Sequence, residues 1–179
     1  RIGLSATLGD YSLAEEWLNS GSNRSCITPK VNGGKRKLSL AMQRFVCMGD
    51  EEDDILDTGI KEHFEYLYHQ TLNKKAIIFA KSRSEIEEVI SNIRHIALNN
   101  KTDDVYHVHH GNISALLRED AENDMKTSEK PIVTGATVTL ELGMDIGSLD
   151  RVVQVGSPLS VSSFTQRIGR CGRRGQPAE

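Results

Sequence analysis

Alternating helical and extended segments from residue 55 onward predict a doubly wound α/β fold, a parallel sheet flanked by helices. Two patterns carry this expectation. Apolar residues recur at three- and four-residue steps along several stretches, the period of a helix with one buried face. Between those stretches stand short unbroken apolar runs, which suit strands buried on both faces. The chain of 179 residues, 37% apolar and 26% charged, is large enough to bury a core and has the composition of an ordinary globular domain.

In chain order, Ile60, Phe64, Leu67, Tyr68 and Leu72 mark a helix, and Ala76–Ala80 (AIIFA) the first strand. Ile86, Val89, Ile90, Ile93 and Ala97 mark the next helix, and Val105–Val108 the next strand. Leu116, Leu117, Ala121 and Met125 give another helix, followed by a strand at Ile132 and Val133. Arg151–Val155 (RVVQV) is a further strand, and Val161, Phe164, Thr165 and Ile168 begin a final helix after Pro158.

The net charge of −3 announces no nucleic-acid partner by bulk charge, so any basic surface must be local. Residues 20–49 carry Arg24, Lys30, Lys35, Arg36, Lys37 and Arg44 without an acid, read as an extended linker with a basic turn at Gly33–Lys37. The stretch from Arg24 to Arg44 is expected to run near the path of a polyanion, or to be a solvated interdomain turn. Asp50–Asp54 reads as a solvated acidic loop. Cys26, Cys47 and Cys171 are far apart and form no CxxC pair, which argues against a disulfide framework and a zinc knuckle and favours a reducing, cytoplasmic setting. No apolar run approaches the roughly 18 residues of a membrane span. The start at Arg1, directly before an apolar run, suggests a piece of a larger protein.

Ligands of doubly wound sheets bind beyond the carboxyl ends of the strands, so the segments placed there matter most. They read Lys81-Ser82-Arg83, His109-His110-Gly111-Asn112, Thr134-Gly135-Ala136-Thr137 and Gly156-Ser157-Pro158. Hydroxyls and glycines at strand ends and helix starts suit a phosphate-binding surface, because backbone N–H groups approach closely at glycine and helix N-termini favour anions. Each has a plainer reading: Ser82 with Glu85 fits a capping box, Ser114 and Ser160 fit helix caps, and His107, His109 and His110 fit core or turn positions. Metal binding by these histidines is not expected, since alternation sets His110 opposite the other two and no carboxylate or thiolate partner is in view. Arg167, Arg170 and Arg173 resist the plainer reading: they repeat every three residues, separated by Gly169 and Gly172, which weaken a merely solvated helix. A rigid guanidinium fork next to small residues can reach a polyanion and stabilise charge on a transferring phosphoryl group.

Taken together and in order, these segments resemble the motifs of superfamily two helicases. Ser5-Ala6-Thr7 resembles motif III, Ile77–Arg83 motif IV, and His110-Gly111 with Ser114 and Arg118 the HG motif. Thr137 with Glu141–Ile146 (ELGMDI) resembles motif V, and Gln166–Arg174 (QRIGRCGRR) motif VI. The spelling of HHGNIS, ATVTLELGMDIGSLDRVVQVGSP and QRIGRCG is similar to the large helicase-related (Lhr) family of DNA-dependent ATPases and helicases.

The resemblance implies a RecA-like, P-loop-NTPase-type sheet. Residues 1–24 would be the end of a first RecA-like domain with its motif III stub and linker, and 25–179 the second, helicase C-terminal, domain. ATP would bind between the two domains. Arg170 and Arg173 would reach the γ-phosphate, Gln166 would connect motif VI to motifs II and III, and Gly143, Asp145 and Arg167 would serve the nucleotide. Ser82, Arg83, Gly111, Arg118 and Thr137 would contact nucleic-acid phosphates, and Ser5 and Thr7 would relay nucleotide state. The implied partners are single-stranded or forked nucleic acid, DNA ahead of RNA, and the first RecA-like domain; Mg²⁺ would be held by that first domain, and the pathway implied is DNA repair.

No GxxxxGK[ST] occurs in the chain, and the apolar run ending in Asp50-Glu51 follows the SAT triplet instead of preceding it, so it is not read as a DExx box. The chain alone is therefore expected to hydrolyse no ATP. The alternative is a non-catalytic RecA-like module whose arginines only grip phosphate backbone. A metabolic nucleotide-binding enzyme is disfavoured, because no GxGxxG or nucleophile elbow follows any strand.

Overall fold

The computed structural model describes residues 2–3, 10–29, 38–46, 53–109, 123–128, 130–137 and 149–171, with the backbone alone for 53–60. The chain divides into two compact units, Arg1–Arg36 and Lys37–Glu179. In the first, helix α1 (Tyr11–Asn19) starts at Asp10, whose carboxylate accepts from the Ser12 and Leu13 amides at 2.8 and 3.3 Å. The Ser12 hydroxyl, which donates to the same carboxylate, is the largest influence holding the Asp10 carboxyl below its ordinary pKa, and those two amides add to it. No residue of α1 is buried, and Leu13 and Trp17 are exposed.

The second unit is built on four parallel strands, β1 (Lys75–Phe79), β2 (Tyr106–His109), β3 (Ile132–Ala136) and β4 (Arg151–Gln154). Their spatial order is β2-β3-β1-β4, so the first strand in sequence lies inside the sheet. In register, Ile77 stands beside Thr134 and Val152, and His107 beside Thr134. Helix α2 (Asp53–Thr71) precedes β1, α3 (Arg83–Asn99) connects β1 to β2, and α4 (Val161–Ile168) follows β4. Residues 123–127 are also helical.

The sheet buries both faces, as its apolar runs require. Phe64, Leu67 and Tyr68 of α2 and Ile86, Val89, Ile90, Ile93 and Ala97 of α3 pack on one face with Ile78 and Val133. On the other, Ile77, Phe79, Ile132 and Ala136 meet Met125, Leu149 and Cys171. Helix α3 keeps its apolar residues at steps of three and four and starts at a complete capping box between Ser82 and Glu85. Asn73 and Lys101 close α2 and α3 with φ of 56°, a left-handed turn that Asn tolerates better than Lys. The Lys75 amide donates to Asp150 at 2.8 Å, which ties the starts of β1 and β4 together.

Three expectations are corrected. Asp53 and Asp54 open α2 instead of lying in a solvated loop, consistent with the preference of carboxylates for the positive end of a helix. Thr134, Gly135 and Ala136 lie inside β3, and His109 inside β2, so only Thr137 follows its strand. Gly135 is explained by packing: a Cβ there would lie 2.5 Å from Ile90 Cγ1 and 2.8 Å from Ile86 Cγ1. The glycine lets α3 settle on the sheet, a role that strand-end reasoning mistook for anion binding.

Candidate functional site

At the carboxyl edge of the sheet, β1 runs through Ala80 into Lys81, Ser82 and Arg83, whose residues 81–84 are exposed. The Ser82 hydroxyl accepts from the Glu85 amide at 3.2 Å, and Glu85 Oε2 accepts from the Lys81 and Ser82 amides at 2.8 and 3.4 Å. The Lys81, Ser82 and Glu85 amides are therefore already engaged within the chain, the first two by the Glu85 carboxylate and the third by the Ser82 hydroxyl. This edge still presents the Arg83 guanidinium and the Ser82 and Ser84 hydroxyls to an incoming anion. Thr137 sits at the end of the neighbouring strand β3, 9% exposed, and the Ala80 amide donates to the Ala136 carbonyl at 3.1 Å. After β4, Gly156 turns with φ of 65°, and a Cβ there would be 3.9 Å from Glu85 Oε1. The ends of β1, β3 and β4 thus converge around Ser82, Thr137 and Gly156.

Arg167 reaches the ends of β1 and β4 from the helix that follows β4. Ser160 caps α4, accepting from the Ser163 amide at 3.1 Å. The helix then runs back along the sheet, because the chain beyond it pairs at Cys171 with Leu149, before the start of β4. The Cys171 thiol donates to the Leu149 carbonyl at 3.4 Å, fixing this return. Gly169 ends the helix, where a Cβ would meet the Gln166 and Thr165 carbonyl oxygens at 3.1 Å.

Arg167 and Arg170, one turn apart, both face inward, at 2% and 6% exposed. The Arg167 guanidinium donates to Gln154 Oε1 and lies 4.8 Å above the centre of the Phe79 ring. Such a cation–π contact strengthens once desolvated. Gln154 Nε2 donates to the Val155 carbonyl at 2.7 Å, which leaves Oε1 turned toward the arginine. Gln166 is half-buried.

Of the residues singled out from the sequence, Ser82, Arg83 and Thr137 are thus grouped at the strand ends, Gln166 and Arg167 lie on α4, and Arg170 lies in the turn just past its end. Ser5, Thr7, Gly111, Arg118, Gly143, Asp145 and Arg173 lie outside the described residues, as do Ser114, His110 and the Gly33–Lys37 turn. Gln154 and Phe79 were missed as site residues, whereas the Ser82–Glu85 capping box was read from the sequence. The one available signal for Gln154 was its polarity within the otherwise apolar VVQV run. Among the described residues no group of three His, Cys, Asp or Glu could hold a metal ion, and no helix is long and apolar enough to cross a membrane.

The helicase conserved C-terminal domain family matches residues 59–175. The ATP-dependent helicase Lhr-Core of Methanothermobacter thermautotrophicus is 34% identical over 182 residues, covering 97% of this chain and 20% of that protein. The Lhr-Core of Saccharolobus solfataricus is 32% identical over 184 residues, 96% of this chain and 19% of that protein. Among solved structures, Mycobacterium smegmatis helicase Lhr bound to ssDNA and AMP-PNP superposes with a TM-score of 0.74 at 29% identity, covering 99% of this chain and 23% of that one. The chain spans about a fifth of the length of the curated relatives it matches.

A parallel sheet with flanking helices and this match define a RecA-like helicase C-terminal domain, and the chain belongs to that family. Within the family it is similar to the Lhr-type ATP-dependent helicases.

Proposed function

We propose that the chain is the second motor domain of an Lhr-like ATP-dependent helicase or translocase, completed by a first RecA-like domain of the same polypeptide. The observation that carries this reading is the arginine-bearing helix α4, seated on the sheet by Gln154 and Phe79 within a helicase C-terminal domain. ATP held between the domains supplies a phosphoryl group for transfer to water. A guanidinium cluster fits a polyphosphate, and Mg²⁺ would be held by carboxylates of the first domain.

Arg170 and Arg173 act as fingers on the γ-phosphate, and Gln166 links them to the first domain. Gly143 and Asp145 serve the nucleotide directly, whereas Arg167, 2% exposed, serves it by orienting α4. Arg170 is 6% exposed, so reaching a phosphate on another domain requires its side chain to turn outward as the cleft closes. Ser82, Arg83 and Thr137, with Gly111 and Arg118, contact nucleic-acid phosphates and so carry no base specificity. Ser5 and Thr7 relay nucleotide state. Alternate closing and opening, with different nucleic-acid affinity in each state, drives movement along the strand. DNA is the favoured partner because the similar Mycobacterium smegmatis helicase is seen with ssDNA. A cytoplasmic role in DNA repair belongs to the same reading.

The test is ATP hydrolysis by the complete polypeptide, with and without single-stranded DNA or RNA, for wild type and Arg170→Ala. DNA-stimulated hydrolysis that falls by about 10³-fold or more in the variant supports the finger assignment. Wild-type hydrolysis in the variant refutes it, and absence of any stimulated hydrolysis favours a module that only binds phosphate backbone. Residues 1–179 alone are expected to hydrolyse no ATP, because no phosphate-cradling GxxxxGK[ST] is present.

A further inference from the structure

Three elements close a ring around one guanidinium. Phe79 ends β1, Gln154 ends β4, and Arg167 reaches both from the second turn of α4. The ring is completed in the backbone, where the Val155 amide donates to the Phe79 carbonyl at 2.8 Å. Both ends of the Gln154 amide are committed: Nε2 to the Val155 carbonyl and Oε1 to Arg167. The amide can accept from the guanidinium in only one orientation, so its direction is set before the arginine arrives.

From this geometry we infer that Gln154 is a positioning residue for the arginine cluster: it fixes the roll of α4 about its own axis by seating Arg167 on Phe79. The inference rests on the motor reading above. Helix α4 has only eight residues, and no acid sits in its first turn, so neither length nor end charge holds its orientation strongly. Ser163 and Arg167 are its buried residues, and Arg167 ties it to β1 and β4. Arg170 stands one turn beyond Arg167 on the same side. A roll of α4 that lost the Arg167 seat would therefore swing the origin of Arg170 along an arc, and a displacement near 1 Å at a reacting centre is enough to cost about 10²-fold in rate. Gln154 touches no substrate in this arrangement. Its effect passes through Arg167.

The experiment is a double-mutant cycle on the complete polypeptide, pairing Gln154→Leu with Arg170→Ala and reading DNA-stimulated kcat, KM for ATP, affinity for AMP-PNP and melting temperature. Gln154→Leu is expected to lower kcat by about 10- to 100-fold with KM and analogue affinity near wild type, and to lower the melting temperature as well, because a buried guanidinium loses its acceptor. In the Arg170→Ala background the same change is expected to cost less than about 2-fold, because residues acting as one unit are not additive. Gln154→Glu, which keeps an acceptor for Arg167, is expected to recover kcat above the Leu variant. If Gln154→Leu does not fold, Phe79→Leu removes the ring beneath Arg167 while keeping an apolar side chain, and the same coupling is expected. Additive losses, or wild-type kcat in Gln154→Leu, overturn the inference while leaving the finger assignment standing. A wild-type Arg170→Ala overturns the finger assignment itself, and the inference with it.

Discussion

Gly135 offers a test of helix-to-sheet packing that needs no partner or substrate. Placing one carbon at this position sets it 2.5 Å from Ile90 Cγ1, 2.8 Å from Ile86 Cγ1 and 3.0 Å from Ile86 Cδ1. Ordinary carbon contacts begin about 1 Å further out. Both isoleucines are fully buried on α3, at 0% and 1% exposed, so neither can step aside into solvent. Relief must come from strained rotamers or a lift of α3, and overpacking of this kind costs about 1 to 3 kcal/mol. Glycine in a strand is itself unfavourable relative to alanine by about 0.5 to 1 kcal/mol, which Gly135→Ala regains. The net expectation for Gly135→Ala is a loss of at most about 2.5 kcal/mol, and for Gly135→Val a larger one. For a chain of this size each kcal/mol lowers the melting temperature by about 2 to 4 °C. The assay is thermal and urea denaturation of residues 1–179. Combining Gly135→Ala with Ile86→Val, which removes the Cδ1 methyl 3.0 Å from the new carbon, is expected to recover part of the loss. A Gly135→Val protein as stable as wild type, with no recovery to be gained from Ile86→Val, would refute the packing account and return this glycine to the anion-binding role that its sequence suggests.

Other outcomes follow from single residues. Thr134 is fully buried and its hydroxyl has no hydrogen-bond partner in the structure, so Thr134→Val is expected to raise stability by about 1 kcal/mol in the same denaturation assay. Ser82→Ala removes the acceptor for the Glu85 amide and is expected to cost about 1 kcal/mol, the usual loss at a helix cap. If Ser82 also contacts phosphate, DNA affinity of the complete polypeptide falls as well, whereas a pure cap leaves it unchanged. Burial holds the His63 pKa below 6.5 against the opposing pull of Glu85 and Glu88. Its neutral form therefore favours folding above the unfolded-state value, and that contribution is lost as pH falls below about 6.5 toward the folded pKa. Melting at pH 7.5 and 5.5 is expected to show a smaller acid loss in His63→Gln than in wild type, and equal losses would refute the assignment.

Periodicity made most of the fold legible. Residues such as Ile86, Val89, Ile90, Ile93 and Ala97 fix a helix face by spacing alone, and AIIFA is short, apolar and bounded by polar residues, which leaves a buried strand as its natural reading. Strand ends were less legible, because Thr, Gly and Ala serve equally in a loop and in a strand packed tightly under a helix. Only the position of α3 over Gly135 decides between them. The acidic run misled for a related reason: charge pattern alone cannot tell a solvated loop from the first turn of a helix.

The arginines show where sequence reasoning stops for a physical cause. Residue type and a three-residue repeat indicated a cluster, and from type alone its members looked equivalent. What the structure adds is the set of partners around Arg167, because a guanidinium can leave water only where polar and π partners stand ready. Gln154 and Phe79 lie 13 and 88 residues from Arg167 in sequence and meet it only because β4 and β1 are neighbours in the sheet. A glutamine in an apolar strand is thus not a lapse in patterning. It is the acceptor that makes a buried arginine tolerable, and removing it should affect Arg167 first and everything carried by α4 second.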